Sequence, residues 1–88
     1  MVNAQGIRDY CKRNYVDPAR ARGEFGVIIR AGDVHDALGL SNRLPAVSAA
    51  IGADTFPRDS RLKRVSVEGP LNGANTYFTF LFREALER

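Results

Sequence analysis

The sequence has one cysteine, one histidine and two lysines among its 88 residues. A lone Cys11 excludes a disulfide scaffold. His35 has no second histidine or spare cysteine to complete a metal site, so neither metal nor cofactor is expected. Gly26, Gly32 and Gly39 lack the following Lys and Ser/Thr that a phosphate-cradling loop requires. No apolar run approaches the roughly 18 residues that span a bilayer, so no membrane partner is expected. Met1 to Gly6 lacks the charged-then-apolar layout of a secretory leader, which points to a cytoplasmic location. There is no repeat, low-complexity stretch or dividing linker. One domain over residues 1–88 follows, with enough chain for one modest core.

Arginine is abundant, supplying eleven of the 13 basic residues against 10 acidic ones, for a net charge of +3 and a pI near 9.5. With 44% hydrophobic residues, that small net charge argues for a folded chain. The location of the excess matters more than its size. Arg58-Asp59-Ser60-Arg61-Leu62-Lys63-Arg64 carries four bases and one acid, a surplus equal to that of the whole chain.

The pattern is helical in the first half. Ile7, Tyr10, Cys11 and Asn14 recur at one-face spacing, predicting a helix from Asn3 to Tyr15 with Asn3 as its cap. Asp17-Pro18, with Gly23 after them, predict a separate capped turn. Glu24 to Arg30 reads as a short strand, and Ala31 to Leu38 as a helix ended by Gly39. After a tight connection, Pro45 opens a helix with Leu44, Val47, Ser48 and Ile51 facing inward. Leu62 to Glu68 and Thr76 to Phe82 then alternate at strand period, joined by a turn-forming cluster from Gly69 to Asn75. This is a hairpin with a loose tip, followed by a charged tail. The expected core is Ile7, Tyr10, Cys11, Phe25, Val27, Ile29, Val34, Leu38, Leu40, Leu44, Val47, Ile51, Val65, Val67, Phe78 and Phe80.

Helix, strand, helix, tight turn, helix and hairpin, in that order, predict an α+β winged helix-turn-helix: three helices, a short strand and a C-terminal β-hairpin wing. The stretch from Ile29 to Val47, centred on Gly39-Leu40-Ser41-Asn42-Arg43-Leu44-Pro45, resembles a small winged-helix-type module of prokaryotic restriction and other defence proteins. Pro18-Ala19-Arg20-Ala21-Arg22-Gly23 and Gly69-Pro70-Leu71-Asn72-Gly73-Ala74-Asn75-Thr76 fit the same pattern. The resemblance implies a DNA-contacting or accessory role and does not imply catalysis within the domain.

Double-stranded DNA is therefore the expected partner. Ser41, Asn42 and Arg43 open the third helix, where Asn and Arg suit base edges and a helix N-terminus suits phosphate. The alternative is that Ser41 or Asn42 simply caps the helix. Arg58, Arg61, Lys63 and Arg64 are candidate phosphate contacts, and three or four such contacts give a salt slope of about −3 to −4. Their alternative role is to guard a strand edge against aggregation. Asn72 and Asn75 are candidate wing contacts and Leu71 a candidate apolar wedge, although turn chemistry explains that cluster too. Arg20 and Arg22 read as a weaker, solvated cluster. Pro45, Ala46, Ala49 and Ala53 make the third helix's outward face smooth, which equally suits a protein partner or self-association. Cys11 falls on a buried face and His35 at a boundary, so no catalytic residue is expected.

Overall fold

The computed structural model describes residues 2–70 and 72–87. Asn3 begins the first helix as the spacing predicts: its Oδ1 accepts the Gly6 N–H at 2.8 Å. Helix α1 spans Ala4–Cys11, a π-helical stretch continues it over Lys12–Val16, and α2 follows directly over Asp17–Ala21. The expected stop at Tyr15 and the separate cap at Asp17 are thus corrected. Asp17 is itself helical, and its carboxylate accepts from Lys12 at 3.2 Å. A proline inside a helix lacks a donor and crowds the carbonyl four residues earlier. For Pro18 that carbonyl belongs to Asn14, within the widened stretch. The continued helix buries Val16 and Ala19 beside Ile7 and Cys11.

Strand β1 (Gly26–Arg30) runs straight into α3 (Ala31–Ala37), and Gly39 turns the chain out of that helix at a φ of 65°. Helix α4 covers Leu44–Gly52 and the short α5 covers Thr55–Asp59. Helix α5 was not expected, because its five residues are too few to display a period. Phe56 anchors it, packing edge-to-face on Phe80 with ring centres 5.3 Å apart. Strands β2 (Leu62–Glu68) and β3 (Tyr77–Phe82) form the hairpin, and α6 (Arg83–Leu86) follows β3.

The architecture is α+β, with helices packed on a three-stranded antiparallel sheet of order β1-β3-β2. The central β3 sends Phe78, Phe80 and Phe82 into the core, where they meet Ile29, Val34, Val47, Ile51 and Leu62. Gly26 in β1 lies so close to β3 that an added Cβ would collide with the Phe80 carbonyl.

Three expected core residues are exposed instead: Phe25, Val65 and Val67. Simple alternation places Val65 and Val67 inward. The register instead pairs Leu62 with Phe82 and Arg64 with Phe80, then shifts between Arg64 and Ser66. Val65 is the extra residue of this bulge, and Val67, paired with Phe78, lies one pair from the hairpin turn, at the margin of the core. Phe25 precedes β1, and its carbonyl accepts the Phe82 N–H at 2.8 Å while its ring points outward.

Arg20 also departs from expectation. Its guanidinium donates to Glu84 at 2.6 Å and to the Ser60 carbonyl at 2.9 Å, and it lies 4.7 Å from the centre of the Phe82 ring. It thereby ties α2 to α6 and to the α5–β2 corner. Arg22, by contrast, is an exposed side chain that pairs with Glu24.

The Arg20 hydrogen bond is the main cause holding the Glu84 carboxyl below its ordinary range. A carboxylate lowered by folding contributes stability above its unfolded value and loses it as pH falls through the folded one. Glu84→Gln is accordingly expected to flatten the acid limb of the stability profile. Urea midpoints measured from about pH 7 to about pH 3 would show this.

Candidate nucleic-acid interface

Chain geometry at the α5–β2 corner gathers the basic stretch. Helix α5 ends at Asp59, and Arg61 turns the chain into β2 with a φ of 55°. The Arg61 carbonyl accepts the Arg83 N–H at 3.2 Å, which brings the first residue of α6 against the corner. Arg58, Arg61, Lys63, Arg64 and Arg83 consequently surround one open depression of about 540 Å³, with Asp54, Pro57 and Leu62 completing its wall. Five cations face one carboxylate there. Because β2 is an edge strand, nothing in the sheet covers this side.

The five cations differ in their freedom. Arg64 is committed to the fold: its Nη1 donates to the Gly52 carbonyl at 2.7 Å and its Nη2 to Asp54 at 3.2 Å. It thus places positive charge at the C-terminal end of α4, where the last carbonyls favour it. Arg58 makes a loose 3.5 Å pair with Asp59, both largely exposed, which holds it weakly. Lys63 and Arg83 make no side-chain hydrogen bond or ion pair among the described residues. Arg61 meets Glu84 only through space.

The other expected contacts lie elsewhere. Ser41, Asn42 and Arg43 are exposed at the start of α4, and the nine-residue helix separates them from the Arg64 end by about 14 Å. Neither Ser41 nor Asn42 caps α4. The N-cap position belongs to Arg43, which makes no side-chain capping bond. Asn72 stands beside a shallow groove of about 400 Å³ between α4 and the hairpin, shared with Ala49, Gly52, Ala53, Arg64 and Phe78.

Asn75 is engaged internally: its Oδ1 accepts from Arg30 Nε at 3.1 Å and Nη2 at 2.8 Å, while Arg30 Nη1 binds Asp33 at 2.7 Å. The Ala31 and Gly32 N–H groups also donate to the Thr76 and Ala74 carbonyls, each at 2.9 Å. The Thr76 hydroxyl closes the turn on the Pro70 carbonyl at 2.5 Å. Residues Ala74 to Thr76, where the turn enters β3, are therefore pinned to the start of α3. Leu71, the expected wedge, lies outside the described residues.

Backbone strain falls on the expected residues. The three non-glycine residues with positive φ among those described are Asn42, Arg61 and Asn72. Asparagine tolerates that region in turns, so two of these are ordinary. Arginine has no such local compensation, so Arg61 stores strain at the rim of the depression.

Sequence reasoning missed Arg83, Asp54 and Arg30. Pairing Leu62 with Phe82 would have placed Arg83 beside Arg61, but that register is set by the bulge. Cys11 is completely buried, and burial pushes its thiol up to about 12, so it stays protonated. No group of three or more potential metal ligands occurs among the described residues. No helix among them is long and apolar enough to cross a membrane.

No protein-family model, no curated protein and no solved structure matches the chain.

Two substitutions separate strain from scaffold. Arg61→Gly relieves the left-handed backbone and is expected to raise stability by about 1 kcal/mol. Arg64→Ala leaves the α4 carbonyl and Asp54 without their partner and is expected to cost about 1–2 kcal/mol. Urea denaturation of the two variants beside the parent measures both.

Proposed function

We propose that this chain is a non-enzymatic winged helix-turn-helix module that binds double-stranded DNA, its phosphate contacts supplied by the basic depression at the β2 edge. The element order supports the reading. Helices α3 and α4, joined by a short connection, would form the helix-turn-helix, and β2–β3 would form the wing. The β1-β3-β2 pairing sets the short first strand against that wing. An accessory place in a prokaryotic defence or transcription system belongs to the same proposal, through the resemblance of residues 29–47.

The observation that carries the reading is the convergence of Arg58, Arg61, Lys63, Arg64 and Arg83 around a concave surface with one acid. Guarding an edge strand needs scattered charge and does not call for five cations about one depression. Lys63 and Arg83 have no side-chain hydrogen bond or ion pair among the described residues, which suits ligands arriving from solvent. Arg64 holds α4 against β2 and positions the rest. Asn42 and Arg43 at the far end of α4, and Asn72 at the hairpin end, would extend the contact along the duplex. The α4 face itself offers Pro45, Ala46 and Ala49, which permit close approach but carry no long side chain able to hydrogen-bond a base. Affinity dominated by phosphate contacts, with little base readout, follows.

Duplex binding followed by fluorescence anisotropy across salt concentration tests this. A log–log slope of about −3 to −4 is expected for the parent. The double variant Lys63→Ala/Arg83→Ala should reduce its magnitude by about 2 and weaken binding similarly for unrelated sequences. Binding that is absent at low salt, or a slope unmoved by the double variant, overturns the proposal.

One observation favours a second reading, a protein-interaction module. The groove beside α4 is walled chiefly by apolar groups of Ala49, Gly52, Ala53, Val67 and Phe78. Under this reading the chain self-associates at micromolar concentration, and Ala49→Glu abolishes the association. Analytical ultracentrifugation of both proteins decides: a parent that stays monomeric removes the self-association form.

A further inference from the structure

We propose that His35 is a pH-operated latch on the connection between α3 and α4. The Arg43 N–H donates to His35 Nε2 at 3.1 Å, and the imidazole side chain is only 12% exposed. A ring nitrogen accepts a hydrogen bond only when it carries no proton. In the latched state the ring is therefore neutral and its one proton sits on Nδ1, the nitrogen that faces Asp36 Oδ1 at 3.6 Å. Adding a second proton at Nε2 sets one donor against another, and Arg43 loses its acceptor.

The groups around the ring offer little to offset that loss. Asp36, on the same helix, is 83% exposed, so water screens its attraction for the imidazolium. Helix α4, packed on α3, has no titratable side chain from Leu44 to Gly52. Arg30 of β1 is turned toward Asp33 and Asn75. Arg43, in the connection itself, is the other charged residue bonded to the ring, through its backbone N–H.

The backbone beside the latch combines a left-handed residue with a helix start that has no side-chain cap. Asn42 sits in the left-handed region, and Arg43, the N-cap of α4, makes no side-chain capping bond, the first turn being closed by the Val47 N–H on the Arg43 carbonyl at 2.9 Å. Neutral His35 fixes the Arg43 amide, and protonated His35 releases that amide. A resulting change in duplex affinity would rest on the proposed function, whereas the latch itself does not.

Nitrogen-15 NMR of the imidazole and the backbone, on the full chain without DNA from about pH 8 to about pH 5, tests the proposal. At the upper end the ring should be the Nδ1-protonated tautomer and the Arg43 amide should be protected from exchange. Protection should fall about tenfold with the same midpoint as the ring, the factor expected from one hydrogen bond of ordinary strength. His35→Gln offers a carbonyl oxygen that does not titrate, and should keep the amide protected across the range. A neutral ring protonated on Nε2, an Arg43 amide indifferent to the ring's titration, or a pH step that survives in His35→Gln overturns the latch. Should His35→Gln fold poorly, the parent's tautomer and shared midpoint decide alone. An absence of duplex binding would overturn the DNA reading and leave these outcomes intact.

Discussion

The structure depends on β3 being paired on both sides while its own side chains fill the centre of the molecule. Six residues supply ladder partners to β1 and β2, and alternate ones bury Phe78, Phe80 and Phe82. Every helix described packs, directly or through a neighbour, against what those rings define. Phe56 of α5 rests on Phe80, Gly52 of α4 lies beside Phe78, and the Arg20 guanidinium approaches Phe82. Since a large aromatic loss from a core costs about 3–5 kcal/mol, a domain of ordinary stability has little to spare there. Surface elements are correspondingly constrained: the basic corner, the hairpin end and the α4 groove keep their places because β3 keeps its own.

Charge is divided between holding the fold and facing solvent. Arg20, Arg30 and Arg64 each link elements distant in sequence, using several donors of one planar group at once. Arg30 joins β1, α3 and the hairpin end, while Arg64 joins β2 to the end of α4. Lys63 and Arg83 take no such part. Net charge alone cannot separate these two populations, because each residue counts equally in it. The difference lies in whether a carbonyl or carboxylate stands within reach.

Much of this was legible in the sequence where short-range chemistry decides. Asn3 as a cap, Gly23 and Gly39 as helix ends, the inward face Val47, Ser48 and Ile51, and the two hairpin strands all follow from spacing and local preference. The basic run from Arg58 to Arg64 was legible as a run. What was not legible depends on tertiary partners. Val65 and Val67 alternate, yet Val65 falls in a bulge and Val67 lies beside the hairpin turn. Phe56 belongs to a helix too short to show a period. Arg20 reads as a solvated cation until Glu84, 64 positions away, meets it. Arg83 enters the candidate site only because strand register carries it there.

The π-helical stretch from Lys12 to Val16 bears on how this chain tolerates changes of length. A hydrogen bond closing five residues on encloses one more residue than an α-helical turn. The long N-terminal helical segment therefore carries a surplus residue in its middle, beside Pro18. Deleting one residue within Lys12–Val16 can close the ladder as plain α-helix and leave Ile7 and Ala19 on the same side. The same deletion elsewhere in the segment rotates everything beyond it by about 100° around the helix axis, turning Val16 and Ala19 away from the phenylalanines. Loss of a single residue is accordingly absorbed within Lys12–Val16 and refused elsewhere in the segment.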